Sequence, residues 1–313
     1  MLNHFKIGHF NDNTGGTGCT VIVPPRDNIA AACVRGASPG TRELVLLAPD
    51  KKVNRVDAIV LTGGSAFGLG CAQGVMEALA DQNIGYETKF GVVPIVPAAV
   101  IFDKNVGDSK AYPKPEDALS AYKNAIYNNK AMGCIGAGTG ATIGKWKGLQ
   151  SAMKAGIGLA EMEMDEIKVS VLTVINAVGD VIGFDGKILA GAVNSDGMFF
   201  AKNNSLARSK ETQLGMSANT VLTTIMMNVK VNKQQAYFIA ERAHYGIARR
   251  IDPSHTSFDG DVAFVVSIPE KSTDIDFVSH MVVKAVEESI INGIKASKNM
   301  FGIKAYEDII KVD

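Results

Sequence analysis

A threonine at the head of a β-branched run, Thr220-Val221-Leu222-Thr223-Thr224-Ile225, and a tight turn carrying two carboxylates, Asp259-Gly260-Asp261, are the residues of this chain best suited to chemistry. A threonine hydroxyl is a poor nucleophile unless a base sits beside it. Cutting the chain before Thr220 would supply that base as the residue's own α-amine. Such an amine has a reference pKa of about 7.7–8.0, so it is partly neutral near pH 7 and can accept the hydroxyl proton. Asn219-Thr220 therefore reads as a self-cleavage site that creates an N-terminal threonine. By local chemistry alone the bland alternative is stronger, because Asn-Thr usually serves as a turn or cap and Asp-Gly-Asp as a solvated turn.

Those residues need a scaffold, and composition bounds it. The chain has 313 residues, 46% hydrophobic and 20% charged, ordinary for a globular protein, with length for one large domain or two small ones. Lys+Arg and Asp+Glu number 32 each, and no basic tract breaks the balance, so nucleic acid is not an expected partner. The N-terminal residues lack the apolar core of a signal peptide, and no apolar run is long enough to span a membrane. Cys19, Cys33, Cys71 and Cys134 are scattered, without Cys-x-x-Cys or a nearby histidine pattern. They read as small residues of a core in a reducing compartment, and the cytoplasm is the expected location.

Short β-branched or apolar runs predict strands at 19–23, 29–34, 58–61, 93–96, 169–177, 220–231 and 262–268. Helical spacing predicts helices at 67–80, 115–126, 233–249 and 280–296, the third capped by Asn232. Strands thus come partly in consecutive groups, which favours packed sheets with helices outside over a doubly wound sheet. The polar stretch 202–212, just upstream of Asn219, reads as a flexible loop.

Two glycine-rich segments invite other readings. Gly136-Ala137-Gly138-Thr139-Gly140-Ala141-Thr142-Ile143-Gly144-Lys145 lacks the glycine and the Ser/Thr that a phosphate-binding P-loop requires, with Thr139 and Trp146 in their places. It reads instead as a loop whose backbone must approach something closely. Thr62-Gly63-Gly64-Ser65-Ala66-Phe67-Gly68 is a strand-to-helix turn with Ser65 as the expected N-cap. The five histidines are dispersed, and His244 and His255 read as structural.

Taken together, these motifs identify a resemblance. Ile7-Gly8-His9, Thr17-Gly18-Cys19-Thr20, Val34-Arg35-Gly36, Pro39-Gly40-Thr41-Arg42-Glu43, Thr62-Gly63-Gly64-Ser65-Ala66-Phe67-Gly68 and Val93-Pro94-Ile95-Val96-Pro97-Ala98-Ala99-Val100-Ile101-Phe102-Asp103 form its first half. Gly136-Ala137-Gly138-Thr139-Gly140-Ala141, Lys147-Gly148, Val174-Ile175-Asn176-Ala177-Val178-Gly179-Asp180, Asn219-Thr220, Ala243-His244, Arg249, His255-Thr256 and Asp259-Gly260-Asp261 form the second. In combination they resemble the DmpA-type self-processing peptidases, a family of L-aminopeptidase/D-esterases, β-peptidyl aminopeptidases and nylon-oligomer endo-hydrolases. Asn-Thr at the cut and Asp-Gly-Asp, in place of Gly-Ser and Ser-x-Glu, look most like the nylon-oligomer (6-aminohexanoate-oligomer) branch.

The resemblance implies a four-layer αββα sandwich of the N-terminal-nucleophile type, shared with ornithine acetyltransferase. It implies one domain over 1–313, cut into chains 1–219 and 220–313, and an amide or peptide hydrolase with no metal and no organic cofactor. Thr220 would be the nucleophile in maturation and turnover. Asp259 and Asp261, alternate residues on an extended segment, would orient and stabilise its amine. Asn176 would donate to the oxyanion, with Lys147 a weaker candidate for the same pocket. The expected substrates are small peptides or amides, and the expected assembly is a homo-oligomer, a tetramer of processed units. An acyltransferase of the ornithine-acetyltransferase type and an uncut binding protein of the same fold are the rivals.

Overall fold

Strands buried on both faces along most of their length build two sheets that pack on a shared core. The computed structural model describes residues 1–200 and 219–309, so the polar stretch 202–212 lies outside the described residues. In chain order the strands of the two sheets are β1 (Lys6–Asp12), β2 (Thr17–Val23), β3 (Ile29–Val34), β4 (Thr41–Arg42), β5 (Ile59–Thr62), β6 (Ala98–Val100), β7 (Ile126–Tyr127), β8 (Ile157–Met164), β9 (Ile167–Asn176), β10 (Thr220–Val229) and β11 (Val262–Lys271). The flanking helices are α1 (Ala72–Asp81), α2 (Pro115–Lys123), α3 (Lys233–Arg250) and α4 (Ile275–Ala296). One sheet has the order β4-β6-β5-β2-β1-β7, and the other β8-β9-β10-β11-β3.

The side chains sort the layers. Ile22, Ile59 and Leu61 of the first sheet face a core shared with Val174, Leu222 and Phe264 of the second. Their neighbours Val21, Ala58 and Val60 face the other way, under Val75 and Leu79 of α1 and Ala118 and Ala121 of α2. Helices α3 and α4 cover the far side of the second sheet. The result is an αββα sandwich, as the strand grouping and the resemblance led one to expect.

β10 lies at the centre of the second sheet, antiparallel to β9 and parallel to β11, with all ten of its residues buried. Parallel neighbours need a crossover, and α3 provides it. Asn232 caps α3 as expected: it accepts from Gln235 N at 2.8 Å while the Gln235 side chain returns to Asn232 N at 2.9 Å.

Several boundaries differ from expectation. The helix expected at 67–80 begins at Ala72, behind a 3₁₀ turn at Ser65–Cys71, and the helix expected at 115–126 ends at Lys123. The strand expected at 93–96 forms instead as β6, because Pro94 and Pro97 lack the N–H that a ladder requires. Helix α4 starts at Ile275, five residues earlier than its apolar spacing suggested, because the Asp274 side chain accepts from Asp276 N (2.9 Å) and Phe277 N (3.0 Å). Ser65 is not an N-cap. Gly64 takes that place, while Ser65 is left-handed (φ 56) and its N–H bonds to Ile101 O at 3.0 Å.

The glycine-rich run does serve close approach. A Cβ on Gly144 would lie 2.2 Å from Ala192 N, and Gly144 itself is left-handed (φ 68). A similar restriction seats α4 on β8: a Cβ on Gly158 would lie 1.7 Å from Ser289 O and 2.6 Å from Gly293 N. Gly158→Ala must therefore push α4 off the sheet. We expect a loss of about 3 kcal/mol in urea unfolding, or failure to fold. Among the described residues, no helix is long and apolar enough to cross a membrane.

Candidate active site

Thr220 opens β10 directly opposite Asn176, the last residue of β9. Cross-strand partners put their side chains on one face. Here that face is the inter-sheet one, since Asn176 Nδ2 donates to Phe102 O, just past β6, at 3.1 Å. Thr220 is only 4% exposed. Its hydroxyl donates to the carbonyl oxygen of Asn219, the residue before it. The Gly260 N–H donates to the same oxygen at 3.2 Å. In front lies a cleft of about 210 Å³, walled by Ser38, Pro39, Ser65, Ala66, Phe102 and Phe258.

The two carboxylates reach Thr220 through backbone pairing. Asn219 and Asp259 form a parallel bridge, and residues 35–38 clamp the outer side: Arg35 N donates to Asp261 O (2.8 Å) and Ser38 N to Asp259 O (3.0 Å). Only glycine fits between, as a Cβ on Gly260 would lie 2.5 Å from Ser38 O. Asp261 Oδ1 accepts from Val221 N at 2.6 Å, and its Oδ2 meets His255 Nδ1 at 2.7 Å. Asp259 Oδ2 accepts from Thr256 N at 2.7 Å.

Burial, and then the adjacent Asp261 charge, push the Asp259 carboxyl up to about 6, against the pull of the Thr256 N–H. The folded value thus exceeds the unfolded value of about 3.9. The group's stabilising contribution is full below about pH 4 and is lost as pH rises through about 6. Removing the charge should recover that loss. In an uncut Thr220→Ala background, Asp259→Asn is expected to raise the melting temperature at pH 8 by about 3–6 °C, equivalent to about 2 kcal/mol, with the difference vanishing near pH 4. Paired thermal melts across that range check it.

The third component is a buried lysine. After the left-handed Gly144, Lys145 turns fully inward and donates to Asn176 Oδ1 at 2.8 Å and Asn176 O at 3.2 Å. Thr142 N donates to the same Oδ1 at 3.1 Å, so the amide is oriented with its oxygen toward the lysine. Burial lowers the Lys145 amine to about 7, although Asp259 and Asp103 favour its charged form. An amine so placed is substantially neutral near pH 7 and competent as a base.

Thr220, Asn176, Asp259 and Asp261 are thus brought together. Lys147 is not with them: its Nζ lies 5.3 Å from the centre of the Phe200 ring, and the lysine that meets Asn176 is Lys145. The reason is the tight 3₁₀ turn at Lys145–Lys147, where residues two apart point in different directions. The sequence holds a signal for Lys145, a lysine amid Ile143, Gly144 and Trp146, but the run reads as a close-approach backbone loop and gives that lysine no role. His255, which reads as structural, sits on Asp261.

Two sheets packed face to face between helix layers, with a buried threonine heading the central strand of one, define the fold as an αββα sandwich. The solved structures it resembles bear this out. An L-aminopeptidase D-Ala-esterase/amidase from Ochrobactrum anthropi, described as a variant of the Ntn hydrolase fold, superposes with TM-score 0.73 at 16% identity, covering 99% of this chain and 91% of that one. A Burkholderia sp. beta-aminopeptidase gives 0.72 at 17% identity, covering 100% and 94%. The chain matches peptidase family S58 over residues 3–307 and belongs to it. An uncharacterized aminopeptidase of Mycobacterium tuberculosis is 33% identical over 335 residues, spanning 97% of this chain and 95% of its own. The 6-aminohexanoate-oligomer endohydrolase of Paenarthrobacter ureafaciens is 28% identical over 273 residues, spanning 85% and 73%. The protein is a hydrolase acting on peptide or amide bonds.

Proposed function

We propose that Thr220 cuts the Asn219-Thr220 bond and then serves, through its freed α-amine, as the N-terminal nucleophile of an amide hydrolase. The observation that carries this reading is the Thr220 hydroxyl resting on the Asn219 carbonyl while the Gly260 N–H donates to the same oxygen. In maturation, Oγ1 attacks the Asn219 carbonyl carbon and its proton passes to the neutral Lys145 amine. The Gly260 N–H stabilises the oxyanion. The C–N bond then breaks, Thr220 N takes a proton, and water hydrolyses the resulting ester. The products are chains 1–219 and 220–313, which stay together as one domain.

In turnover the Thr220 amine accepts the Oγ1 proton as the hydroxyl attacks a substrate amide in the cleft. Asp259 and Asp261 favour the protonated amine, Asn176 is oriented for the oxyanion, and water releases the acyl group. The relatives frame the substrates as amino-terminal peptides, amino-acid amides or oligoamides. The burial of Cys19, Cys33 and Cys71 as free thiols supports a cytoplasmic setting.

The test is to incubate the cut protein with amino-acid amides, short peptides and 6-aminohexanoate oligomers, with and without an added amine acceptor. Hydrolysis lost on acetylating the Thr220 amine supports the reading. Hydrolysis that survives acetylation refutes it, and transfer in preference to hydrolysis turns it toward an acyltransferase. We further expect the processed units to assemble as a homotetramer, which sedimentation equilibrium tests.

A further inference from the structure

Asp261 is gripped from behind by a histidine that the steps above do not use. His255 Nδ1 lies 2.7 Å from Asp261 Oδ2, and its Nε2 lies 3.3 Å from the carbonyl oxygen of His244 on α3. A carboxylate and a backbone carbonyl are both acceptors. Neutral imidazole carries one N–H and satisfies only one of them, whereas the imidazolium satisfies both. The backbone is committed to this placement too, since His255 is left-handed (φ 53), a conformation that branched or bulky residues seldom adopt.

We propose that His255 is a charged positioning residue: its imidazolium, held between Asp261 and the His244 carbonyl, keeps Asp261 ionised, so that the proton taken up by the two carboxyls resides on Asp259. The proposal rests on the reading of Thr220 as nucleophile. Two carboxyls flanking one glycine compete for charge, and some asymmetry must decide which is ionised. Asp261 has the cation and, on its other oxygen, the Val221 N–H adjoining Thr220. Ionised Asp261 therefore fixes the head of β10, while Asp259 is left to exchange a proton as the Thr220 amine gains and loses its own.

The other charges around His255 agree with this division. His244, packed edge-on with ring centres 4.9 Å apart, is pushed down to about 3 by burial and then by His255, and so stays neutral. Its Nε2–H has an acceptor in Cys33 O at 3.2 Å. Arg35, at the end of β3, is paired with Glu241 at 3.0 Å. For His255 itself, burial opposes protonation, and the Asp261 bond and charge outweigh it to raise the value. The Lys145 charge favours the ionised form of Asp259, as the last of the influences on it.

Two measurements test the proposal. The first uses ring-nitrogen NMR shifts of ¹⁵N-histidine-labelled Thr220→Ala protein, uncut and independent of activity. Two protonated ring nitrogens on His255 at pH 7 are expected, with its midpoint falling by about one pH unit or more in Asp261→Asn. A neutral His255 ring at pH 7 overturns the proposal. The second follows amide hydrolysis by the processed protein against pH, in wild type and His255→Asn, which suits the left-handed backbone and keeps a donor for Asp261 without the charge. The acid limb of the rate profile is expected to move up by about one unit, giving about tenfold slower hydrolysis below it and recovery above. Uniform slowing with an unmoved limb overturns the proposal by making His255 merely structural. If wild type never cleaves, the Thr220 reading fails, and the NMR result still decides the state of His255.

Discussion

Thr220→Ala is expected to purify as one uncut 33.1 kDa chain without amide hydrolase activity. Freshly made wild type should resolve under denaturation into fragments of roughly 23 kDa and roughly 10 kDa, in proportion to the lengths of 1–219 and 220–313. The effect should be the largest of any substitution, because a single oxygen serves as nucleophile in both maturation and turnover. We expect a loss on the order of 10⁴-fold or more in cleavage rate, since alanine offers no group that can form the ester. Thr220→Ser keeps the hydroxyl and should still cut. Intact mass measured at intervals after synthesis decides between the outcomes. A cut Thr220→Ala chain would remove Thr220 from the mechanism, and a wild type that stays whole under all conditions would end the self-processing reading.

Lys145→Met should stall maturation nearly as severely, with a precursor lifetime lengthened on the order of 10²–10⁴-fold. Methionine fills the buried volume but neither accepts the Oγ1 proton nor donates to Asn176 Oδ1. The amine's value of about 7 sets the sign of the pH dependence. Only the neutral amine is a base, so wild-type cleavage should quicken as pH rises through about 7 and level off above it. Lys145→Arg, always protonated, should stay uncut at every pH. Lys147→Met should cut within about twofold of wild type, because Lys147 lies over Phe200, away from the bonds that hold Asn176. Gel time courses of newly translated chains from pH 5.5 to 8.5 separate the two lysines. Loss of cleavage in Lys147→Met, with Lys145→Met unaffected, would reverse the assignment.

Strand β10 shows what was legible in the chain. Its continuous run of Thr, Val, Leu, Ile and Met marks a strand buried on both faces, and the polar stretch before it places a boundary at Asn219. Helix α3 was equally plain, because Asn232 and the spacing of Ala236, Ile239, Ala240, Ala243 and Ile247 are local signals. β1 and β8 were not predicted. β1 carries His9 and Asn11, whose partners Thr20 and the Gly136 N–H come from elsewhere in the chain, and β8 ends in Glu161-Met162-Glu163-Met164 at the surface. Neither pattern has a period that separates strand from loop.

The two lysines mark the boundary between sequence and structure. Local chemistry raised Thr220, Asp259 and Asp261, a hydroxyl at a cleavable bond and paired carboxylates around a glycine, and the family resemblance, itself carried by sequence motifs, chose that reading over a plain turn and added Asn176. Which lysine serves them, and that His255 grips Asp261, were decided by tertiary structure. Lys145 and Lys147 differ only in the direction they leave one tight turn, and the cost of burying an amine becomes visible only once the sheets close over it. Likewise the charge on His255 depends on two acceptors, one supplied by α3 and the other by the head of β11, which meet only in the folded chain.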